Sequence, residues 1–311
     1  MTTLLITGGG GAGSEALWRY LSPKYDLHFA DADSSSIPPV VPDGHRHGIP
    51  LAGPDWAEGI SSLSRSLGVD LLIPTVDEEL YELPQLGHRS PHLGILSPPQ
   101  EFIESHLDKL RSNEVLINHG LGAPKTRTFE DLEGVTFPLL VKPRQGRGSR
   151  GVQVLESYEE CEAYRTLAKL DSHQILAQEL LKGQEWTVCV SADGKGNLCG
   201  IVPVKVESKR GITMKAKVEY SPEVIAYCRN LHDQLRPYGC YNVQAIQTRN
   251  GTVGTFEINP RVSTTFCMAL AVGLDPIKAL LSEPGSYAPA LKQECSLSRS
   301  WHNQITLEGN S

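Results

Sequence analysis

A short apolar run, Thr3-Leu4-Leu5-Ile6-Thr7, passes directly into four consecutive glycines, Gly8 to Gly11, and then into Ala12-Gly13-Ser14. No other stretch constrains the fold as much. A strand that turns within a few glycines into a helix, here expected over about 14–21, opens a strand–helix–strand unit, and such units build parallel sheets. The alternation continues. Leu27-His28-Phe29-Ala30 reads as a second strand, ending at Asp31 and Asp33. Residues 34–54 are rich in Pro, Gly, His and Ser and read as a loop, His45-Arg46-His47 included. Trp56, Ile60, Leu63 and Leu67 recur at helical spacing up to Gly68, and 69–73 is a third strand. The first hundred residues are therefore expected to form an α/β unit.

Ser97-Pro98-Pro99 is the expected joint to a second unit. After a helix over 103–119, closed by Gly120, the texture changes. Residues 137–142, 150–155, 174–180, 186–191, 198–206, 241–248 and 253–258 read as strands, several joined by Gly/Asn turns. Two helices interrupt them, one opened by a capping box of Ser157 and Glu160, the other by Ser221-Pro222. This half is α+β. No internal repeat is visible, and the last twenty residues are polar and weakly patterned.

The chain has 311 residues, a size that suits about two domains, and a formal net charge of −7. Global negative charge argues against nucleic-acid or acidic-membrane partners. Seven cysteines without a C-x-x-C pair suggest buried reduced thiols. With neither a signal peptide nor a long apolar run, the expectation is a soluble, cytoplasmic protein with no membrane contact.

Two segments compete for the role of nucleotide site. Gly8 to Gly13 fits G-x-G-x-x-G, with Asp31 about 20 residues on, the context of a dinucleotide site. The alternatives are an NAD(P)-dependent oxidoreductase using Gly8, Gly10, Gly13 and Asp31, or a tight strand-to-helix turn. The second segment is Lys142-Pro143, at the end of a strand, followed by Arg144-Gln145-Gly146-Arg147-Gly148-Ser149-Arg150-Gly151. Such a loop brings backbone N–H groups and positive charge close to an anion. Glu185 opens an alternating strand, where an acid can accept hydrogen bonds from ribose hydroxyls. Lys205, Lys209, Arg210, Lys215 and Lys217 crowd thirteen residues and suit either a solvated strand face or a phosphate or carboxylate site. Glu257 and Asn259 are two apart on one strand and share a face, with Gln244 on the strand opposite. Their oxygens suit Mg2+, and Arg261 extends the face toward a transferring phosphoryl group.

Lys142 before its Gly-rich loop, Glu179 to Glu185, Gln244 and Glu257-x-Asn259-Pro260-Arg261 together resemble the ATP-grasp superfamily, over roughly residues 1–280. The look is that of single-module relatives of the carbamoyl-phosphate synthase large subunit. The resemblance implies an α/β N-terminal Rossmann-like (pre-ATP-grasp) domain over 1–100, followed by an α+β ATP-grasp fold. That fold would divide into 101–183 and 184–290, with a tail over 291–311. It implies that Lys109 and Lys142 contact the ATP phosphates and base, and that Gly146, Gly148, Ser149 and Gly151 fold over the phosphates. Gln178, Glu179, Leu180 and Leu181 would read adenine and Glu185 the ribose. Gln244, Glu257 and Asn259 would hold Mg2+, with Mn2+ the alternative. Arg261 would steady an acyl phosphate, and Lys209 and Arg210 would meet a γ-phosphate or a substrate carboxylate.

One ATP module, with no glutaminase in view, favours a carboxylate–amine ligase acting on small molecules. Phosphorylation of bicarbonate or carbamate is the alternative within the family. A homodimer is the base-rate expectation.

Overall fold

The computed structural model describes residues 1–291 and 294–300. Its first sheet holds β1 (Thr3–Thr7), β2 (Asp26–Asp31), β3 (Arg46–Gly48), β4 (Leu71–Ile73) and β5 (Gly94–Ile95), in the order β3-β2-β1-β4-β5. All four pairings are parallel. The connecting helices are α1 (Ser14–Leu21), α2 (Trp56–Leu67) and α3 (Leu83–Arg89). The strand order reverses at β1, whose successor in the chain lies on one side and β4 on the other. A crevice forms outside the carboxyl ends of strands at such a switch point. The Gly-rich turn leaves β1 there, and Thr75 to Glu79 follow β4.

The loop expected over 34–54 is partly ordered. His47 lies in β3 and pairs with Ala30, so His45-Arg46-His47 enters an edge strand. Composition shows turn-forming residues but not that the chain returns beside β2.

The helix expected over 103–119 is two: α4 (Gln100–Leu107) and α5 (Lys109–Asn118). Asp108 has extended backbone and accepts from the amides of Leu110 at 3.0 Å and Arg111 at 3.3 Å. The aspartate is an N-cap, which ends one helix and starts the next.

A second, antiparallel sheet runs in the order β6-β9-β7-β8, from β6 (Thr126–Thr128), β7 (Leu139–Pro143), β8 (Gln153–Leu155) and β9 (Ile175–Glu179). With α6 (Tyr158–Ala168) it encloses its own core of Phe129, Leu139, Val141, Cys161 and Ile175. Ser157 caps α6 through the amide of Glu160, but the Glu160 carboxylate reaches the amide of Glu156, so the expected box closes one residue early.

The third sheet is also antiparallel and runs β14-β13-β10-β11-β12-β15. Its strands are β10 (Gln184–Ala192), β11 (Leu198–Arg210), β12 (Ile212–Val218), β13 (Gly239–Gln247), β14 (Val253–Asn259) and β15 (Ser296–Ser298). The helix α7 (Pro222–Leu235) follows β12, and α8 (Phe266–Val272) and α9 (Pro276–Leu281) follow β14. The cation-rich run 205–217 is the β11–β12 hairpin, turning at Gly211. Of the tail expected over 291–311, Ser296–Ser298 extend this sheet, while 292–293 and 301–311 lie outside the described residues.

One buried cluster joins Leu4, Ile6 and Phe29 of the first sheet to Cys189 and Val204 of the third and Phe266 of α8. The expected joint at Ser97-Pro98-Pro99 is packed as well. Ser97 is buried, and a Cβ added to Gly239 would lie 2.5 Å from the Ser97 carbonyl. Among the described residues no helix is long and apolar enough to cross a membrane.

The Gly-rich turn is packed against the chain itself. Gly8 has φ 64°, and a Cβ there would lie 2.5 Å from Thr75 Oγ1 and 2.7 Å from Val76 Cγ2. Gly8→Ala is expected to cost about 2 kcal/mol, roughly half from the left-handed backbone and half from displacing two β-branched neighbours. The midpoint of a urea transition at constant slope checks this, and an unchanged midpoint would show that the turn relaxes freely.

Candidate nucleotide and substrate site

Between the second and third sheets lies a cavity of about 250 Å3. Lys142, near the end of β7, lines it and is only 2% exposed. Its Nζ donates to Gln178 Oε1 at 3.1 Å and to the Phe256 carbonyl at 3.0 Å. Burial pushes its pKa down to about 8, Glu257 opposes that shift, and Lys109 adds to it. Lys109 opens α5 and donates from Nζ to the Gly146 carbonyl at 2.6 Å, tying the Gly-rich loop to the cavity rim. Gln178 is held from its other side, its Nε2 donating to Thr126 Oγ1 at 2.7 Å. Glu179, Leu180, Leu181 and Glu185 complete the wall.

The expected metal ligands lie on two paired strands. Gln244 of β13 stands directly opposite Glu257 of β14, and Asn242 opposite Asn259. The register shifts between Gln244 and Ala245, leaving Phe256 as the extra residue of a bulge. A bulge re-aims side chains, and here both Phe256 and Glu257 line the cavity. The Phe256 ring lies 5.7 Å from Lys142 Nζ and 6.0 Å from Lys209 Nζ. Lys209 also donates to Glu185 and, at 3.3 Å, to Gln244 Oε1.

A second cavity, of about 710 Å3, opens between the Gly-rich turn of the first sheet and the end of β14. Arg147, Ser149, Lys209, Gln244 and Glu257 line both cavities, so the two meet at Glu257. Asn259 and Arg261 face only the second. Arg261 is nearly buried, and its Nε donates to Asp77. Arg147 Nε donates to Glu78 Oε2 at 2.9 Å, bridging the loop to the first sheet's unit. Beside them Glu79 is 5% exposed and accepts from Thr7 Oγ1 and, at 3.3 Å, from Trp56 Nε1. Burial, with Asp31 adding, raises its pKa to about 7.

Two expected residues stand apart. Arg210 is exposed and lines neither cavity. Neighbouring residues of a strand point to opposite faces, so Lys209 and Arg210 cannot both face the site. Gly151 also lines neither cavity: its carbonyl accepts from Tyr164 Oη at 2.6 Å, and a Cβ there would meet Pro143. It shapes the base of the loop. Gly146 faces the first cavity, Gly148 the second and Ser149 both.

At the Gly-rich turn, the carboxylate of Asp31 accepts from the amide of Gly10 at 2.8 Å and from that of Asp33 at 3.0 Å. The acid that a dinucleotide site would offer to a ribose thus closes the turn. Sequence reasoning missed Phe256, Asp77, Glu78 and Glu79. The three consecutive acids soon after a parallel strand were the readable signal, because ligand crevices form at such carboxyl ends.

Comparison with known proteins bears on the family and the fold. The family described as "ATP-grasp in the biosynthetic pathway with Ter operon" matches residues 171–295. The carbamoyl phosphate synthase large chain of Clostridium beijerinckii is 27% identical over 206 residues, covering 60% of this chain and 19% of that protein. The biotin carboxylase domain dimer of Hydrogenobacter thermophilus 2-oxoglutarate carboxylase, solved with MgADP, ADP and bicarbonate, superposes with a TM-score of 0.71. It is 16% identical, over 95% of this chain and 74% of that one. An L-amino acid ligase from Bacillus licheniformis does so with a TM-score of 0.69 at 16% identity, over 95% of this chain and 79% of that one. At these identities the two structures show a shared fold. Residues 171–295 thus carry an ATP-grasp family domain, and the chain is homologous to part of the carbamoyl phosphate synthase large chain.

Proposed function

We propose that the protein is an ATP-dependent ligase that activates a small carboxylate as an acyl phosphate for attack by an amine. The observation that carries this reading is the meeting of the two cavities at Glu257, Gln244 and Lys209. A nucleotide in the smaller cavity would present its last phosphate to a substrate in the larger one. The first sheet's unit then serves as a Rossmann-like support for the substrate side, and its Gly-rich turn is a packing device.

The donor set fits the metal such chemistry needs. Gln244, Glu257 and Asn259 offer oxygen only, the preference of Mg2+ and also acceptable to Mn2+. When bound, that ion would neutralise charge on the nucleotide's phosphates. Lys142 and Lys109 would neutralise more of it, and the bulge residue Phe256 would form an apolar floor beside them. The hinge Gln178 to Leu181 would read the base through its backbone, and Glu185 would hold the ribose. An oxygen of the substrate carboxylate would attack the γ-phosphorus as the bond to ADP breaks, with Lys209 alongside and Arg261 steadying the product. The amine would then attack the acyl carbon and displace phosphate. The loop 144–151, fastened to Lys109 on one side and Glu78 on the other, would exclude water meanwhile. A homodimer remains the assembly we propose.

The test is release of ADP and phosphate from Mg-ATP across a panel of amino acids, small carboxylates and bicarbonate, singly and in pairs. Release that needs both an acid and an amine is expected. Release with bicarbonate alone would shift the reading to carbamate-type phosphorylation. Silence from every pair, with tight NADPH binding in a parallel titration, would return it to the oxidoreductase.

A further inference from the structure

A second cluster of chemically active side chains lies away from both cavities. Asp26 and His28 alternate on one face of β2, and His45 stands on the short turn Asp43–His45 that leads into β3. One ligand-capable atom from each lies within 4.8 Å of the others. His28 Nε2 is 3.6 Å from Asp26 Oδ1, and His45 Nδ1 is 3.9 Å from the same oxygen. Donors about 2.1 Å from a tetrahedral ion stand about 3.4 Å apart, so the His28–Asp26 spacing is close to a coordination edge, whereas His45 reaches one only after its ring moves.

The shell behind them has the pattern that orients ligands. His28 Nδ1 meets His47 Nε2 at 2.9 Å. If that nitrogen of His28 carries the proton, Nε2 is left with its lone pair toward Asp26. Ligating histidines commonly donate their other N–H in this way. Trp18 of α1 closes the cluster, its ring edge-on to His45 at 5.6 Å.

We propose that Asp26, His28 and His45 form a site for one divalent transition-metal ion of zinc-like preference. His47 would act as the positioning residue behind His28. Two imidazoles and a carboxylate, with the fourth position left to water, make a borderline nitrogen-and-oxygen set that selects zinc, cobalt or nickel over magnesium. The rings of His28 and His45 stack at 4.7 Å with 23° between their planes. Imidazole binds metals in its ring plane, so one ion can reach both only when His45 turns out of the stack and leaves the Leu27 carbonyl, 2.9 Å from its Nδ1. His28 is fixed on a strand paired on both sides. His45 is half-buried on a surface turn and is the ring that moves. The ion would pin the segment between β2 and α2, whose Ser36, Ile49, Pro50 and Leu51 form a wall of the larger cavity.

The experiment uses the full chain in the Glu257→Gln background, so that the oxygen site does not contribute. After treatment with a chelator, Zn2+ is titrated calorimetrically and Co2+ is followed by its d–d absorption. One equivalent of each is expected, with a higher Tm in Zn2+. Binding should weaken at least about 10-fold in Asp26→Asn and His45→Ala, which leave the core intact, and persist in His119→Ala, an exposed histidine elsewhere. The proposal fails if no stoichiometric binding occurs, or if Asp26→Asn and His45→Ala both bind as tightly as their parent. A thiolate-to-cobalt charge-transfer band would also overturn it, by moving the ion to a cysteine.

Discussion

Glu257→Gln is expected to lower turnover about 1,000-fold while leaving the fold intact, the scale of loss seen when one group that stabilises developing charge is removed. The substitution is nearly isosteric, and residue 257 lies on a half-buried strand face opposite Gln244, so packing changes little. The electrostatics change twice. The proposed oxygen set would lose its carboxylate and consist of three amide carbonyls, which hold a divalent ion far less well. Lys142 loses the one anion that supports its charged form. Burial already brings that lysine to about 8 with Glu257 present. Without Glu257 its pKa falls further, and part of the population is neutral where phosphate charge must be met. Loss of turnover should therefore come with weaker Mg-ATP binding, measured by titration of the variant. Circular dichroism and Tm should match the parent. Turnover within tenfold of the parent would remove Glu257 from the proposed metal site.

The features legible in the sequence were those that depend on a residue's own neighbours in the chain. Strand alternation put Glu257 and Asn259 on one face, and the strand-to-helix glycines announced a parallel sheet; both are as expected. Asp108 is an N-cap residue type, but the continuous helical pattern over 103–119 hid the break it makes ahead of Lys109. What escaped depends on pairing partners distant in sequence. Phe256 reaches the cavity only because β13 and β14 slip by one residue at Gln244. Asp77 matters because Arg261, 184 positions away, donates to it. Arg210 was drawn in by the cation-rich run and the family resemblance, although strand parity excluded it once Lys209 was chosen.

Between about pH 4.5 and 7 the protein is expected to lose stability as pH rises, and Glu79→Gln is expected to abolish that loss. The Glu79 carboxyl is buried, and its pKa is raised from 4.5 to about 7, mainly by desolvation and further by Asp31. The folded chain therefore keeps a proton that the unfolded chain has already released. Over that window the folded state binds more protons than the unfolded state, so unfolding becomes easier as pH climbs, and the loss saturates above the folded pKa. A shift of this size corresponds to about 3 kcal/mol. The substituted amide would keep its carbonyl oxygen for Trp56 Nε1 and turn its N–H toward the Thr7 hydroxyl, which can accept, without carrying charge into the site. The Glu79→Gln variant should match the parent at about pH 4 and exceed it by up to about 3 kcal/mol at about pH 8, read from urea transitions at both pH values. Parallel pH profiles for parent and variant would show that Glu79 is solvated in the folded state.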